Sequence, residues 1–545
     1  MIKQNRRSFF KLTGSMAILP GALSEPSMAM ASAPAKSKKS SGRLAAGDKS
    51  LSGAFAALPF DSTADDISLA KGFEWYAVAK MGDVINKEGQ KFGDCCDFTS
   101  VWEGQSSDQM FIWVNHEYIV HTVLYGKLLA PTDKTKEQID HERSLVGGSY
   151  LELKKNSKTK KWELVGNSEK AFRLDGTTKI PLVGPAGGRE VTGTMGNCGG
   201  GSTPWGTVLS GEENVSAYYH EPEGYGWGNF YPSSKLDYGW VVEVDLQNKS
   251  ARKLTAMGRF AHEGATVVAK KGKKVVVYLG DDARGECFYK FVSKELFSGD
   301  PKKDRDLLVE GDLYVADLAK GAWVHLNPSN PLLANDKEGR FKTLADICNQ
   351  TRDAAKVVGG TPLNRPEDVK IDPSNGDVYF TLTNNSKAGD FHGQVVLLTE
   401  KDADHTSLSF EYKTYLTGGL GSGVSCPDNI VFGPGGHLWV CTDISGETMG
   451  KGVHTRFPRN SVFRMEDAAN GTALARHFLQ APHGAEITGP SFTKDGKTFF
   501  MSIQHPGEDS FENGNTNYTS HWPEGGNASP KSTLIAVREK GSSFK

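Results

Sequence analysis

The sequence predicts an all-β chain folded as a single β-propeller, and three observations carry that expectation. From Lys71 onward it consists of short β-type runs separated by Gly, Pro, Asp and Asn, with 62 glycines and few stretches of helical period. A hairpin unit repeats at constant spacing. Polar residues recur at the same two places in each copy of that unit.

The repeat is clearest in the second half. Val369 to Gly376 leads into Asp377 to Leu382, Ile430 to Gly436 into His437 to Cys441, and Ser491 to Gly496 into Lys497 to Met501. Each copy reads as strand, glycine turn, strand, which is a hairpin. Gly376, Gly436 and Gly496 fall 60 residues apart, and a weaker copy runs from Ala265 through Gly272 to Gly280. A unit with room for four strands at a fixed period is a propeller blade, which stacks radially because it cannot bury both faces alone. The chain holds roughly six to eight blades at this period. A β-sandwich, the alternative, would not repeat at constant spacing. Helix is expected only in insertions such as Thr132 to Arg143.

Residues 1–31 read as a twin-arginine signal, with Asn5, Arg6, Arg7, Ser8, Phe9, Phe10 and Lys11 ahead of a weakly apolar stretch and small residues around Ala29 to Ala33. Residues 32–70 read as a flexible polar linker and 71–545 as the propeller. Export by the twin-arginine machinery, to the periplasm or out of the cell, is the expectation. That route carries folded proteins, often around a cofactor, so it favours a metal or redox centre. No later stretch is apolar for long enough to span a bilayer, so membrane insertion is not expected. With 63 basic and 65 acidic residues, net charge selects no polyanion, and nucleic acid binding is not expected. A closed ring leaves no sheet edge that demands a partner, which predicts a monomer.

Arg365 to Asp368, Pro427 to Asn429, Glu486 with Thr488, and His262 with Glu263 stand just before the first strand of their hairpins. Asn384 and Asn385, Thr442 and Asp443, Gln504 and His505, and Asp281 and Asp282 stand just after the second. These two places lie side by side, at the end opposite the turn. If the first strand is the innermost of its blade, Glu263, Glu367, Asp428 and Glu486 form a ring at one mouth of the channel. Each acid alone reads as a turn or strand-end cap; together they repel, and burying them calls for a cation. Oxygen ligands in such number suit calcium, magnesium or ferric iron.

A second constellation runs from Gly193 through Cys198 to Trp205 and on to Glu212, Glu213 and Asn214. It reads either as a glycine-rich hairpin closure or as a backbone that approaches a ligand closely. A thiolate is a poor calcium ligand, so Cys198 beside carboxylates points to a transition metal as well. Seven cysteines leave at least one unpaired, for metal ligation or as an inert buried thiol. Arg365 is either an anion clamp or a salt-bridge partner of its neighbouring acids. The chain lacks a G-x-S-x-G elbow, a P-loop, an EF-hand loop and an H-E-x-x-H helix.

These residues, in order, resemble the PhoX-type alkaline phosphatases. The likeness rests on the twin-arginine start, Val114 to Tyr118, the Asn197 and Cys198 turn with Thr203 to Gly206, Glu212 and Glu213, His262 to Gly264, Asn364 to Asp368, Pro427 to Asn429, Thr488 to Pro490, and Ser502 to Glu508. It implies a six-bladed propeller with a mixed iron and calcium cluster that hydrolyses small phosphate monoesters outside the cytoplasm. It further implies that Cys198 ligates iron, that Glu263, Glu367, Asp428 and Glu486 ligate metal, and that Glu212 or Glu213 completes calcium coordination. Arg365 is implied as the catalytic, phosphate-holding residue, with Asn197 beside it in substrate binding. Two alternatives stay open at this point: a calcium-dependent propeller hydrolase of lactones or phosphotriesters, and a calcium-stabilised binding propeller with no activity. The aromatic segment Tyr218 to Trp240 has no place on the family pattern; it shapes substrate access or covers a blade.

Overall fold

The computed structural model describes residues 51, 53–61, 63–467, 473–512 and 514–541. The expected signal, 1–31, and the first part of the expected linker lie outside these.

Six sheets surround a central channel as six blades. Their innermost strands are Cys96–Glu103, Asn197–Ser202, His262–Val268, Pro366–Ile371, Pro427–Phe432 and Glu486–Phe492, and each neighbours the next around a closed ring. The first strand of each repeat hairpin is therefore the inner one. In the fourth blade Pro366–Ile371 pairs antiparallel with Val378–Leu382, which is followed outward by Gln394–Glu400 and Phe410–Thr417. The sixth blade draws on both halves of the chain. Its outermost strand, Phe73–Lys80, pairs with Thr533–Glu539, with Phe73 opposite Glu539.

One hydrophobic cluster fills each gap between blades. Trp113 and Val208 meet between the first and second, Leu209 and Val277 between the second and third, and Tyr278 and Phe380 between the third and fourth. Val395 with Val440, Trp439 with Phe499, and Phe500 with Ile112 fill the remaining three. Strands covered on both faces explain why the repeat reads as apolar runs instead of strict alternation. Each such side chain contributes roughly 1.5–3 kcal/mol by leaving water, so the gaps, not the turns, hold the ring together.

The described part of the expected linker is structural, which corrects that boundary. Leu51, Phe55, Ile67 and Ala70 are buried in the gap between the fifth and sixth blades, Phe55 packs edge-on to Phe478, and Ser68–Leu69 adds a fifth strand to the fifth blade. Arg464 fixes the segment by donating to the carbonyls of Leu51 and Gly53. The expected insertion helix forms at Lys136–Leu145, started by a capping box between Thr135 and Gln138. Among the described residues no helix is long and apolar enough to cross a membrane.

Candidate metal centre

Every inner strand carries a β-bulge near its channel-mouth end. A bulge kinks the strand and re-aims a side chain. In four blades the residue that starts the bulge bears the donor: Asp97, Cys198, Glu367 and Asp428. In those blades the residue two positions earlier, Cys95, Gly196, Arg365 or Cys426, has a left-handed backbone, φ 36°, 62°, 59° and 55°. For the three that are not glycine this conformation costs on the order of 1–3 kcal/mol each, a strain that collects at functional sites. The third and sixth blades depart from the pattern. Gly264 and Gly489, both left-handed, occupy the bulge, and the acids stand one and three positions earlier as Glu263 and Glu486. The four acids of the expected ring are thus not strictly equivalent in register, although all reach the same mouth.

There they join one continuous run of donors. Asp97, Glu117 and Cys198 lie together, then Cys198, Glu213 and Glu263, then Glu263, Glu367 and Asp428, then Asp428, Asp443 and Glu486; within each group the donor atoms lie within 4.8 Å of one another, and every residue is buried. Asp97 and Glu117, from the first blade, were not foreseen; Asp97 holds the bulge position that Cys198 holds in the next blade. Gln504 ties them, donating from Nε2 to Asp97 Oδ2 at 2.6 Å and Glu117 Oε2 at 3.1 Å. The Cys198 Sγ is 3.3 Å from Asp97 Oδ2.

Two charges about 5 Å apart at an effective dielectric near 20 repel by about 3 kcal/mol. Burial pushes the Glu263 carboxyl well up, and Glu367 and Asp97 add to the push. Burial, then Glu367 and Glu486, raise Asp428; burial, then Asp97 and Glu117, raise the Cys198 thiol. Protonated groups are poor ligands, so a cation is what lets these ionise together. One atom tests the fit directly. Glu263 Oε2 accepts from the backbone N–H of Gly199 at 3.1 Å, while its Oε1 is buried and accepts no hydrogen bond among the described residues. Hard oxygens with a single thiolate fit a set of ions that includes both a hard cation and a thiophilic one.

Glu212 is not part of this run, which corrects its assignment as a ligand. It accepts from Lys253 Nζ at 2.7 Å and from the N–H groups of Gly239 and Trp240, so Glu213 is the acid of that pair that faces the cluster. Asn197 is also corrected: its amide accepts from Thr194 Oγ1 and donates to Ser210 Oγ, 2.9 Å and 2.8 Å, which commits it to the blade. Asn214, by contrast, donates to Glu213 Oε1 at 2.9 Å and lines two clefts beside the centre. The glycines after Cys198 approach a strand, not a ligand. A Cβ on Gly201 would meet the carbonyl of Ala265 at 1.9 Å, so the run lets the second and third inner strands close up.

Arg365 is a salt-bridge partner of its neighbouring acids, one of its two expected readings. Its guanidinium binds Asp282 through Nε and Nη2, 2.7 Å and 2.9 Å, and lies 2.7 Å from Glu367 and 3.6 Å from Asp443. Burial opposes its charge, but these acids outweigh burial and keep it firmly protonated. The geometry therefore puts a fixed cation on the lip of the acid run.

The sequence profile of the family Alkaline phosphatase PhoX matches residues 54–507. The chain belongs to the PhoX alkaline phosphatase family. The structure of Pseudomonas fluorescens PhoX in complex with vanadate, a transition state analogue, superposes with a TM-score of 0.80 at 29% identity, covering 89% of this chain and 98% of that one. A gluconolactonase from Xanthomonas campestris aligns at 11% identity over 67% of this chain and 88% of its own, with a TM-score of 0.28. The calcium structure of a Trichoderma reesei protein of Carbohydrate-Active Enzymes Family AA12 aligns at 10% over 88% and 99%, with a TM-score of 0.32. No curated protein matches by sequence.

In this PhoX-family chain the aromatic segment Tyr218 to Trp240 roofs the mouth. Tyr218 and Tyr225 stack at 4.6 Å and pack with Trp227 against the helix Lys136–Leu145. Glu142 of that helix accepts from Trp227 Nε1 at 2.8 Å and from Lys134 Nζ at 2.8 Å. Tyr118, Ile119, Tyr218 and Tyr225 line an apolar cleft that reaches Glu117 and Asn214. The segment thus packs on the insertion helix and lines a cleft beside the donor run. All seven cysteines are free thiols and buried.

Proposed function

We propose that this chain is an exported phosphomonoesterase whose reaction takes place at a mixed iron and calcium centre held by Asp97, Glu117, Cys198, Glu213, Glu263, Glu367, Asp428, Asp443 and Glu486. The observation that carries the reading is the unbroken run of buried donors with a thiol near one end, beside a fixed guanidinium. The two-ion character is supported by the donor chemistry: a lactone or triester hydrolase that needs calcium alone has no use for Cys198.

When bound, the ions supply positive charge that neutralises the oxygens of the phosphoryl group as it transfers. The chain's own residues position it. Arg365, oriented by Asp282 through Nε and Nη2 and paired with Glu367 through Nη2, keeps Nη1 to donate to the phosphoryl group. Asn214, held by Glu213, offers an amide at the junction of the two clefts. The apolar wall of Tyr118, Ile119 and Tyr225 receives the departing alcohol and limits water. The vanadate held by the Pseudomonas relative supports a phosphoryl-transfer reading here. The twin-arginine pattern at Arg6 and Arg7 supports export of the folded monomer to the periplasm or beyond.

Elemental analysis of the natively exported protein, beside a p-nitrophenyl phosphate assay with and without calcium, tests the reading. Iron and calcium with calcium-stimulated release of nitrophenol is the expected result. Calcium alone and no release would overturn it.

A further inference from the structure

A second cleft opens on the other side of Asn214 from the apolar one. Asn214, Glu221, Arg259, Asp282 and Arg352 stand in its wall. Asp282 is the residue that orients Arg365, so the cleft shares a wall with the phosphate-holding guanidinium. The apolar cleft carries Glu508 and Glu512 at its lining; this one carries two arginines.

The arginines differ in what they hold. Arg352, on the helix Thr351–Val357, is bound to Asp281 through Nε at 2.9 Å and through Nη2. Arg259 has no carboxylate at ion-pair distance among the described residues. Its Nε donates to the carbonyl of Tyr238 at 2.8 Å, and its backbone N–H to Thr351 Oγ1 at 3.0 Å, which fixes it beside Arg352. A half-buried guanidinium next to a second one, with both Nη groups left over, is a poor structural strut and a good anion receptor, because its fork matches two oxygens of one oxo group.

We propose that this cleft receives a second anionic oxo group of the substrate, a carboxylate or a further phosphate, on an ester whose reacting phosphoryl lies at Arg365. The assignment rests on the phosphatase reading and goes beyond it: it makes the enzyme one that prefers doubly anionic esters to simple ones. Burial and then Arg352 push the Arg259 guanidinium down, a cost that a bound anion removes. Glu221 faces the same space. Burial pushes its carboxyl up, and Ser216 Oγ donates to it.

The test compares kcat/KM for 3-phosphoglycerate and fructose 1,6-bisphosphate with that for p-nitrophenyl phosphate, on the metal-loaded protein. Arg259→Gln is expected to lower both ratios about tenfold through KM, Arg259→Lys to restore part of the loss, and Glu221→Gln to raise the ratios. A loss in the first ratio alone identifies the carboxylate as the ligand, and in the second alone the phosphate. Ratios that Arg259→Gln leaves unchanged, or equal losses on all three esters, overturn the proposal. If the wild-type protein releases no nitrophenol, the phosphatase reading fails instead, and calorimetry still decides this one. Binding of 3-phosphoglycerate or fructose 1,6-bisphosphate more tightly than inorganic phosphate, with the excess lost in Arg259→Gln, supports it; equal binding overturns it.

Discussion

Two of the regions in which this propeller buries acids treat them in opposite ways. Between the third and fourth blades, Glu400 accepts from Tyr278 Oη at 2.7 Å, Lys290 Nζ at 3.0 Å and Trp323 Nε1 at 3.0 Å, while Lys290 also donates to the carbonyls of His405 and Ser407. At the channel mouth, Glu263 and Asp428 have other acids for neighbours. Burial pushes Glu400 up and Lys290 down to about 8, yet each compensates the other on the same chain. What distinguishes a strut from a ligand set is therefore not burial but whether the chain itself supplies the opposite charge.

Removing the outside charge is the widest break in that comparison. A chelator that strips the centre should abolish phosphate release and lower the melting temperature, both recovered on adding iron and calcium; activity that survives complete stripping, checked by elemental analysis, would sink the metal reading. Cys198→Ser should cost at least about 100-fold in activity, in line with loss of a metal-site ligand, and should lower bound iron more than bound calcium. Glu400→Gln should do the reverse. It leaves Lys290 buried without its acid, a loss of about 3 kcal/mol, seen as an earlier thermal transition with activity per folded molecule unchanged.

Acid sharpens the comparison through Glu142. Burial alone would raise it, but His121 and Lys134 hold it at about 2. Because that lies below the ordinary carboxyl value, its stabilisation is complete above about pH 4.5 and is lost as pH falls toward 2. Near-ultraviolet circular dichroism of the Trp227 roof should follow that window; no change across it would mean that Glu142 is not a strut. The smallest effect has the most telling sign. In metal-free protein, Glu263→Gln removes repulsion and should raise the melting temperature by about 2 °C, while the same change lowers it in metal-loaded protein.

The hairpin repeat was legible because strand, glycine turn and strand recur at one spacing, and the inner position of the first strand followed from the polar ends. Glu263, Glu367, Asp428 and Glu486 could be gathered on that ground alone. Asp97 was not, because the turn of the first blade carries its glycine, Gly104, at the start instead of at the end, which breaks the repeat's pattern. Glu212 and Glu213 could not be separated, because neighbouring residues at a strand end face opposite ways and nothing in the chain says which way faces the channel. Arg259 gave no signal, since its meaning lies in the absence of an acid that only packing reveals.

Pairing Phe73 with Glu539 also sets a clock. A ribosome adding roughly 5–20 residues per second makes the first of these strands on the order of half a minute to a minute and a half before its partner exists. Until then the sixth blade is incomplete, and the first and last donors of the run, Asp97 and Glu486, have no fixed separation. The donor run therefore cannot assemble blade by blade during synthesis; it is complete only once the ring has closed.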